Sequence, residues 1–230
     1  MQAIAQPVSR SAARVDPVPT GAFAVAEPPL AIRVLPTPEA RMAIVGLRKL
    51  SASAVEDDLG FGLGPFETVR DQIGMVAAIE REGRAIATIR FVPSGHGMTG
   101  LERLQPEAAL PAGIVTAHSW EVGRLIVAPE HRHPELLGQC FTLALAELVR
   151  TRRVERFYAI ATPLMARLWR RFGMKVAATV RGASGTEYAV VSGRAADVAA
   201  ALDRPAPLPG HGRALPVREA AQSMHAQLVH

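Results

Sequence analysis

A glutamate and an arginine in the segment SWEVGRLIV, residues 119–127, have the types and the spacing to do chemistry. Glu121 and Arg124 are three positions apart, so a regular strand would point them to opposite faces. Gly123 lies between them and favours a β-bulge that would bring both side chains to one side. A carboxylate partly buried on a sheet face can serve as a general base for an amine. The alternative is a structural ion pair between Glu121 and Arg124 that holds the bulge.

The loop after this segment could bind an anion. It carries Arg132 and His133 and leads into a helix that begins at Pro134 and contains Leu137 and Gly138. Amides at a helix N-terminus lack partners within the helix, and with the helix dipole they favour a negative group such as a pyrophosphate. Arg132, His133, Leu137 and Gly138 are therefore the candidate residues for binding a pyrophosphate-containing cofactor. An ordinary strand-to-helix connection with solvated charges is the alternative.

A second helix, over residues 162–173, has one apolar and one basic face. The apolar residues are Leu164, Leu168 and Phe172, and the arginines are Arg167, Arg170 and Arg171. Packing on a sheet explains the pattern. The basic face could also dock an acidic carrier protein.

Composition narrows the classes of protein. The chain has 230 residues, of which 49% are hydrophobic and 20% charged, as in a folded domain. Its one cysteine, Cys140, excludes an intramolecular disulfide framework and is assigned to packing. The seven histidines show no metal-ligand spacing, so we predict no metal site. We recognise no secretory signal and no apolar run near the roughly 20 residues of a membrane span, so we expect a cytoplasmic protein.

The charge balance favours anionic partners. There are 26 basic and 21 acidic residues, for a net charge of +5, and the only lysines are Lys49 and Lys175. Such a surface suits a nucleotide cofactor, an acidic carrier protein or nucleic acid. Because only 5% of residues are aromatic and no DNA-reading motif is present, we expect no nucleic-acid partner.

Local signals predict an α/β fold, a mixed sheet with helices on both faces. Thr-Pro pairs at 37–38 and 162–163 predict helix starts, Gly173 predicts a helix end, and Gly83 predicts a hairpin. The order is β-α-ββ-β-α-β-α-ββ. The predicted strands are 32–36, 74–80, 84–92, 119–127, 156–162, 174–180 and 186–192, with helices from 37 to about 50, from 134 and from 162.

The chain divides into three parts. Residues 1–29 are predicted to be a flexible extension rich in alanine and proline. Residues 30–203 are predicted to form the main domain. Residues 204–230 are predicted to be a Pro/Gly linker followed by a short helix that begins at Pro216.

Several segments resemble the GNAT superfamily of acyltransferases. These are EVGRLIVAPEHR before a long helix, FYAIATP as the next strand and LWRRFGMKV at a helix end. Within the superfamily the chain is similar to N-acyl amino acid synthases and acyl-homoserine-lactone (autoinducer) synthases. LRKLSASAVEDDLGF resembles their opening after the first helix, residues 71–93 resemble their hairpin, and EVGR keeps the spacing of their E-x-S-R strand. The resemblance covers residues 30–192.

The departures from the family pattern point to one branch. His133 and Pro134 follow Arg132 where an acetyl-CoA loop has glycine, which agrees better with the autoinducer-like branch and its acyl carrier protein (ACP) donors. Trp169 stands where many relatives have a general-acid tyrosine, and Gly123 replaces the serine of E-x-S-R. The aromatic set and acidic pair of homoserine-lactone synthases are not matched. An amino acid or other small amine is therefore preferred over S-adenosylmethionine as acceptor.

The resemblance implies a fatty N-acyltransferase with a splayed sheet and no permanently bound cofactor. The pantetheine of an acyl-CoA or acyl-ACP donor would bond to amides near Ile126 and Val127, between the fourth and fifth predicted strands. Glu121 would act as base toward a small-molecule amine acceptor. Arg90 and Arg124 are candidates for binding a carboxylate on that acceptor, and a structural role for both is the alternative.

Three alternatives stay open. Two are enzymes: an acetyl-CoA-dependent N-acetyltransferase and an acyl-homoserine-lactone synthase. The third is a non-enzymatic, arginine-rich module that binds a carrier protein or nucleic acid.

Overall fold

The computed structural model describes residues 27–51, 54–60, 65–104 and 110–204, and in them the chain forms a seven-stranded sheet. The strands are β1 Leu30–Val34, β2 Met75–Arg81, β3 Arg84–Pro93, β4 Ser119–Val127, β5 Arg156–Ala161, β6 Lys175–Arg181 and β7 Glu187–Arg194. Their order across the sheet is β1-β2-β3-β4-β5-β7-β6. Neighbouring strands are antiparallel except β4 and β5, which run parallel.

The sheet opens between β4 and β5. The two strands pair only at their starts, where Ser119, Trp120 and Glu121 lie opposite residues 156–158. Beyond Glu121, β4 continues for six residues and β5 for three without pairing to each other. The prediction of a splayed, mixed sheet is therefore confirmed.

β4 carries a bulge at this opening. Arg90 of β3 lies opposite Gly123 and Thr88 lies opposite Ile126, so two residues of β4 share the place of one on β3. The left-handed conformation falls on Arg124, which has φ 53°, and not on the neighbouring glycine. The extra residue tilts the second half of β4 relative to the first.

Helices cover both faces of the sheet. Those in the described ranges are α1 Pro38–Arg41, α2 Val45–Lys49, α3 Ala54–Asp58, α4 Pro65–Ile73, α5 Gly100–Leu104, α6 Pro134–Thr151, α7 Pro163–Arg171 and α8 Ala195–Leu202. α6 packs against β1, β2 and β3, whereas α2 and α4 pack on the other side of β3. This arrangement confirms the predicted fold class.

The two faces of β3 have different surroundings. Phe91 packs against Phe141 of α6, with ring centroids 6.2 Å apart, and both rings contact Phe157 of β5. Arg90, the preceding residue, is fully buried on the opposite face because successive strand residues alternate sides. The sheet therefore has an apolar core on the α6 side and a buried charge on the α4 side.

The local helix and turn signals are confirmed. The hydroxyls of Thr37 and Thr162 each accept the N–H of the residue three positions on, at the starts of α1 and α7. Gly173 follows α7 with φ 84°. Glu82 and Gly83 both have positive φ in the β2–β3 turn, as a tight hairpin requires.

Two parts of the prediction are corrected. The continuous helix from 37 to about 50 is wrong, since α1 and α2 are separated by a 3-10 turn over Met42–Ile44. α3, α4, α5 and α8 were not predicted. In α4 the buried residues are Arg70 and Asp71, which are charged and so are not residues that a hydrophobic pattern assigns to a core.

The two terminal segments are almost entirely outside the described residues. Of the predicted extension 1–29 only residues 27–29 are described, and of the segment 204–230, with its predicted helix, only Arg204. Within the ranges that the structure describes, no helix combines the length and apolar character that crossing a bilayer requires.

Candidate functional site

A cleft of about 190 Å³ occupies the opening between β4 and β5. Its charged lining residues are Glu56, Arg70, Glu121 and Arg124. Its large apolar lining residues are Val55, Val122, Leu125, Ile126, Ile160, Met165 and Trp169. The charges come from α3, α4 and the first part of β4, whereas the apolar side chains come mainly from β4, β5 and α7. The cleft can therefore hold a ligand that has a polar part and an apolar part.

Glu121 is buried at the cleft, with 5% of its surface exposed. Its Oε1 accepts a hydrogen bond from Arg70 Nη2, and its Oε2 accepts the N–H of Gly100 at 2.6 Å. Gly100 is the first residue of α5, so its N–H points away from the helix. The alternative ion pair between Glu121 and Arg124 is not the one formed, because Arg124 bonds to Glu67 instead.

Glu67, on α4, accepts from three arginines. Its oxygens lie 2.9 and 3.0 Å from the two terminal nitrogens of Arg90, 3.1 Å from Arg124 Nη2 and 3.3 Å from Arg70 Nη1. Burial alone would raise the pKa of this carboxyl. The positive charges of Arg90, Arg124 and Arg70 outweigh burial and lower the pKa of Glu67 to about 2. Glu67 is therefore ionised at neutral pH and joins α4 to β3 and β4.

Arg90 lies behind Glu67. Besides its two bonds to that residue, its Nη1 donates to Asp71 Oδ1 at 3.0 Å, and Asp71 also accepts from Arg48. Arg90 is fully buried and is not among the residues that line the cleft. The structure thus places this predicted acceptor-binding residue where its terminal nitrogens already hold Glu67 and Asp71.

The charges of α4 were missed by sequence reasoning. Glu67, Arg70 and Asp71 have the i, i+3, i+4 spacing that places side chains on one helix face. All three meet arginines or carboxylates of β3 and β4. A charged stripe at helical spacing was the available signal, but such stripes usually face solvent.

A buried tyrosine supports the end of the cleft. Tyr158 lies opposite Glu121 in the β4–β5 pairing, and its hydroxyl is 2.7 Å from Ser94 Oγ and donates to Thr99 Oγ1 at 2.9 Å. Burial, and then the negative charge of Glu121, raise the pKa of Tyr158 well above its usual value, so the phenol stays protonated. These bonds hold Thr99, and with it the adjacent Gly100 amide that contacts Glu121.

The predicted donor-binding residues are distributed between the cleft and the loop after β4. Ile126 lines the cleft, whereas Val127 is buried beside it and is not among the lining residues. Arg132 is exposed, and its Nε donates to the carbonyl of Val127 at 3.1 Å. The arginine therefore ties the loop back to the end of β4.

The start of α6 offers few free amides. His133 Nδ1 accepts the N–H of Leu136 at 3.2 Å, and Pro134 has no N–H. Leu137 and Gly138 follow in the helix and are half-buried. A Cβ atom at Gly138 would make only an ordinary van der Waals contact, so this position does not require glycine. None of the predicted residues Arg132, His133, Leu137 and Gly138 lines the cleft.

The apolar wall of the cleft includes Trp169. Its ring packs edge-on against Phe141 and Phe172, with centroid distances of 5.4 and 5.9 Å. Only 4% of Trp169 is exposed. On the outer side of the same helix, Arg167, Arg170 and Arg171 are exposed. α7 therefore has one apolar side toward the cleft and one basic side toward solvent.

Comparison with solved structures finds the same fold in several proteins. FeeM, an N-acyl amino acid synthase from uncultured soil microbes, superposes with a TM-score of 0.57 at 13% identity, covering 75% of this chain and 94% of that one. The AHL synthase LasI gives 0.56 at 14% identity, covering 79% and 98%. This chain has the GNAT fold. TofI gives 0.55 at 19% identity, covering 76% of this chain and 97% of that one.

The resemblance seen in the sequence is thus confirmed at the level of the fold. No protein-family model matches the sequence, and a search of curated proteins finds no match. The function therefore has to be argued from the cleft and the groups that line it.

Proposed function

We propose that this protein is an N-acyltransferase that moves a fatty acyl group from acyl-ACP or acyl-CoA to the amine of an amino acid or a similar small acceptor. The observation that carries the proposal is the cleft between β4 and β5, which opens at a bulge and has Glu121 at its closed end. The likeness to the folds of FeeM and LasI supports it.

The open strand edges suit a thioester arm. Because β4 and β5 separate after Glu121, the backbone groups that face the opening have no partners in the neighbouring strand. A pantetheine arm can bond to them near Ile126 and Val127 as an added strand would, with its thioester carbonyl beside the bulge. Backbone N–H groups at the bulge would then polarise the carbonyl as the tetrahedral intermediate forms.

The reaction needs no enzyme nucleophile. The acceptor ammonium loses one proton, its nitrogen forms a C–N bond to the thioester carbon, and the C–S bond breaks. The leaving thiolate takes up a second proton from the nitrogen. Glu121 is the proposed base, acting through a water, since its oxygens retain lone pairs beside their bonds to Arg70 and Gly100.

The surroundings of the cleft favour a carrier-protein donor. A CoA pyrophosphate at the start of α6 would find no N–H on Pro134 and would compete with His133 for the N–H of Leu136. The exposed arginines of α7 lie on the helix whose inner side lines the cleft, and they suit the acidic surface of a carrier protein.

The direct test is a thiol-release assay with purified protein and a panel of amino acids. We expect turnover with long-chain acyl-ACP or acyl-CoA, and slow or no turnover with acetyl-CoA. Mass spectrometry of lipids from cells that overproduce the protein should show a new N-acylated amino acid, which identifies donor and acceptor together. Glu121→Ala should abolish this product.

Other outcomes would change the assignment. Turnover with acetyl-CoA alone would make the protein an N-acetyltransferase. A lactone product formed from S-adenosylmethionine would make it an autoinducer synthase. No thiol release from any of these donors, with the protein folded, would refute acyl transfer altogether. Glu187→Gln, a surface substitution on β7, serves as the matched control and should behave as wild type.

A further inference from the structure

Glu56 is the carboxylate in the cleft whose oxygens are least engaged. It lies on α3, lines the cleft and has 22% of its side chain exposed. Among the residues that the structure describes, the nearest cation to its carboxylate is Arg124 Nε, 4.0 Å from Oε1, which is too long for a hydrogen bond. Glu121, the other carboxylate that lines the cleft, already accepts at both oxygens.

The guanidinium of Arg124 is only partly engaged. Its Nε and Nη2 contact Glu67 at 3.2 and 3.1 Å. Within the described ranges no residue accepts a hydrogen bond from its Nη1. Arg124 also lines the cleft, and the bulge that gives it positive φ holds its guanidinium on the same side as Glu56. The Glu56 carboxylate thus lies next to the Arg124 guanidinium, and among the described residues neither Glu56 nor Arg124 Nη1 has a hydrogen-bond partner.

We infer that Glu56 and Arg124 form a binding site for the two charges of an α-amino acid, in which Glu56 accepts hydrogen bonds from the ammonium group and Arg124 donates to the carboxylate. This inference rests on the proposed function and names its acceptor class. Glu56 is then an acceptor-binding residue, Arg124 determines the preference for an amino acid, and the proton that the amine must lose goes to Glu121 as proposed above.

The charge balance of the cluster favours a zwitterion. Four arginines, Arg48, Arg70, Arg90 and Arg124, face four carboxylates, Glu56, Glu67, Asp71 and Glu121. Arg41 contacts backbone carbonyls nearby, so there is no excess of negative charge. An amine without a carboxylate would bring an uncompensated positive charge into this partly buried site, whereas an α-amino acid adds none.

The experiment compares acceptors and variants in steady-state kinetics. Wild-type protein should prefer an amino acid over the corresponding decarboxylated amine by roughly 10- to 100-fold in acceptor KM, the range expected for one hydrogen bond to a charged group. Glu56→Gln should raise the KM for both acceptors by a similar factor. The kcat at saturating acceptor and the KM for the acyl donor should change little.

Two further variants separate binding from folding. Glu56→Asp keeps the charge on a shorter side chain and should give an intermediate KM, while Arg124→Gln should remove the preference for the amino acid over the amine. Circular dichroism checks that each variant is folded. An unchanged acceptor KM in folded Glu56→Gln, or equal use of amines and amino acids by wild type, would overturn the inference.

Calorimetric titration of the amino acid, without donor, distinguishes this inference from the proposed function. If wild-type protein binds the amino acid and Glu56→Gln does not, the site stands even when no donor is turned over, and only acyl transfer fails. If wild-type protein transfers acyl groups but the variant binds the acceptor normally, acyl transfer stands and the role of Glu56 fails. Glu187→Gln is the control in both measurements.

Discussion

Replacement of Glu67 by glutamine should strongly destabilise the protein at neutral pH. The pKa of Glu67 falls from an ordinary 4.5 to about 2 in the folded state, mainly through Arg90, Arg124 and Arg70 acting against burial. At about 1.4 kcal/mol for each pKa unit, this corresponds to about 3 kcal/mol of stabilisation by the ionised form. Loss of one partner from a buried charge pair costs a similar amount, about 3–5 kcal/mol.

The loss of stability caused by Glu67→Gln should become smaller as the pH falls. Because the folded pKa of Glu67 is lowered, its contribution is complete above the unfolded value of 4.5 and falls as the pH drops toward 2. The free energies of unfolding of wild type and Glu67→Gln, measured in urea, should therefore differ by about 3 kcal/mol at pH 7. At pH 3.5 this difference should be smaller by about 1.4 kcal/mol.

The exposed pair of Glu187 and Arg181 provides the control for this measurement. Glu187→Gln should change the free energy of unfolding by less than about 1 kcal/mol at either pH. If Glu67→Gln lowers the free energy of unfolding by less than about 1 kcal/mol at pH 7, or if the loss is not smaller at pH 3.5, the arginines around Glu67 do not stabilise the fold in this way.

Two other predictions concern the backbone at Gly173 and the buried thiol of Cys140. Gly173→Ala should lower the free energy of unfolding by about 1–3 kcal/mol or more, because φ is 84° and the added Cβ would lie 2.7 Å from the carbonyl oxygen of Asp197. Gly185→Ala has the same φ but open space, so a urea comparison isolates the clash, and equal losses would contradict it. Cys140 is fully buried, and burial raises the pKa of its thiol to about 12. A thiol reagent at pH 8 should therefore label unfolded but not native protein, and rapid labelling of native protein would disprove this.

Elements with strong local signals were predictable. Thr37 and Thr162 cap helices because their hydroxyls satisfy a nearby N–H, and Gly173 ends α7 because it adopts a left-handed conformation at little cost. β4 was predicted with the same bounds that the structure shows, 119–127. The bulge in β4 was also anticipated, although the positive φ is at Arg124 and not at Gly123.

The helices α3, α4 and α5 were not predictable in the same way. They are short, and the buried residues of α4 are the charged Arg70 and Asp71. Whether a charged helix face lies in solvent or in the protein depends on what is opposite it. Here the opposite face of β3 presents Arg90, and that pairing is visible only after the sheet has formed.

The chain's local preferences were enough to predict the strands, the helices α6 and α7 and the likeness to an acyltransferase fold. Which charges meet in the cleft depended on long-range packing. Glu121 binds Arg70, 51 residues away, and not Arg124, three residues away. The bulge directs Arg124 toward α4, and the docking of α4 on β3 and β4 brings Arg70 to Glu121. Strand register and helix packing determine which buried charges pair, and neither is encoded in a short stretch of sequence.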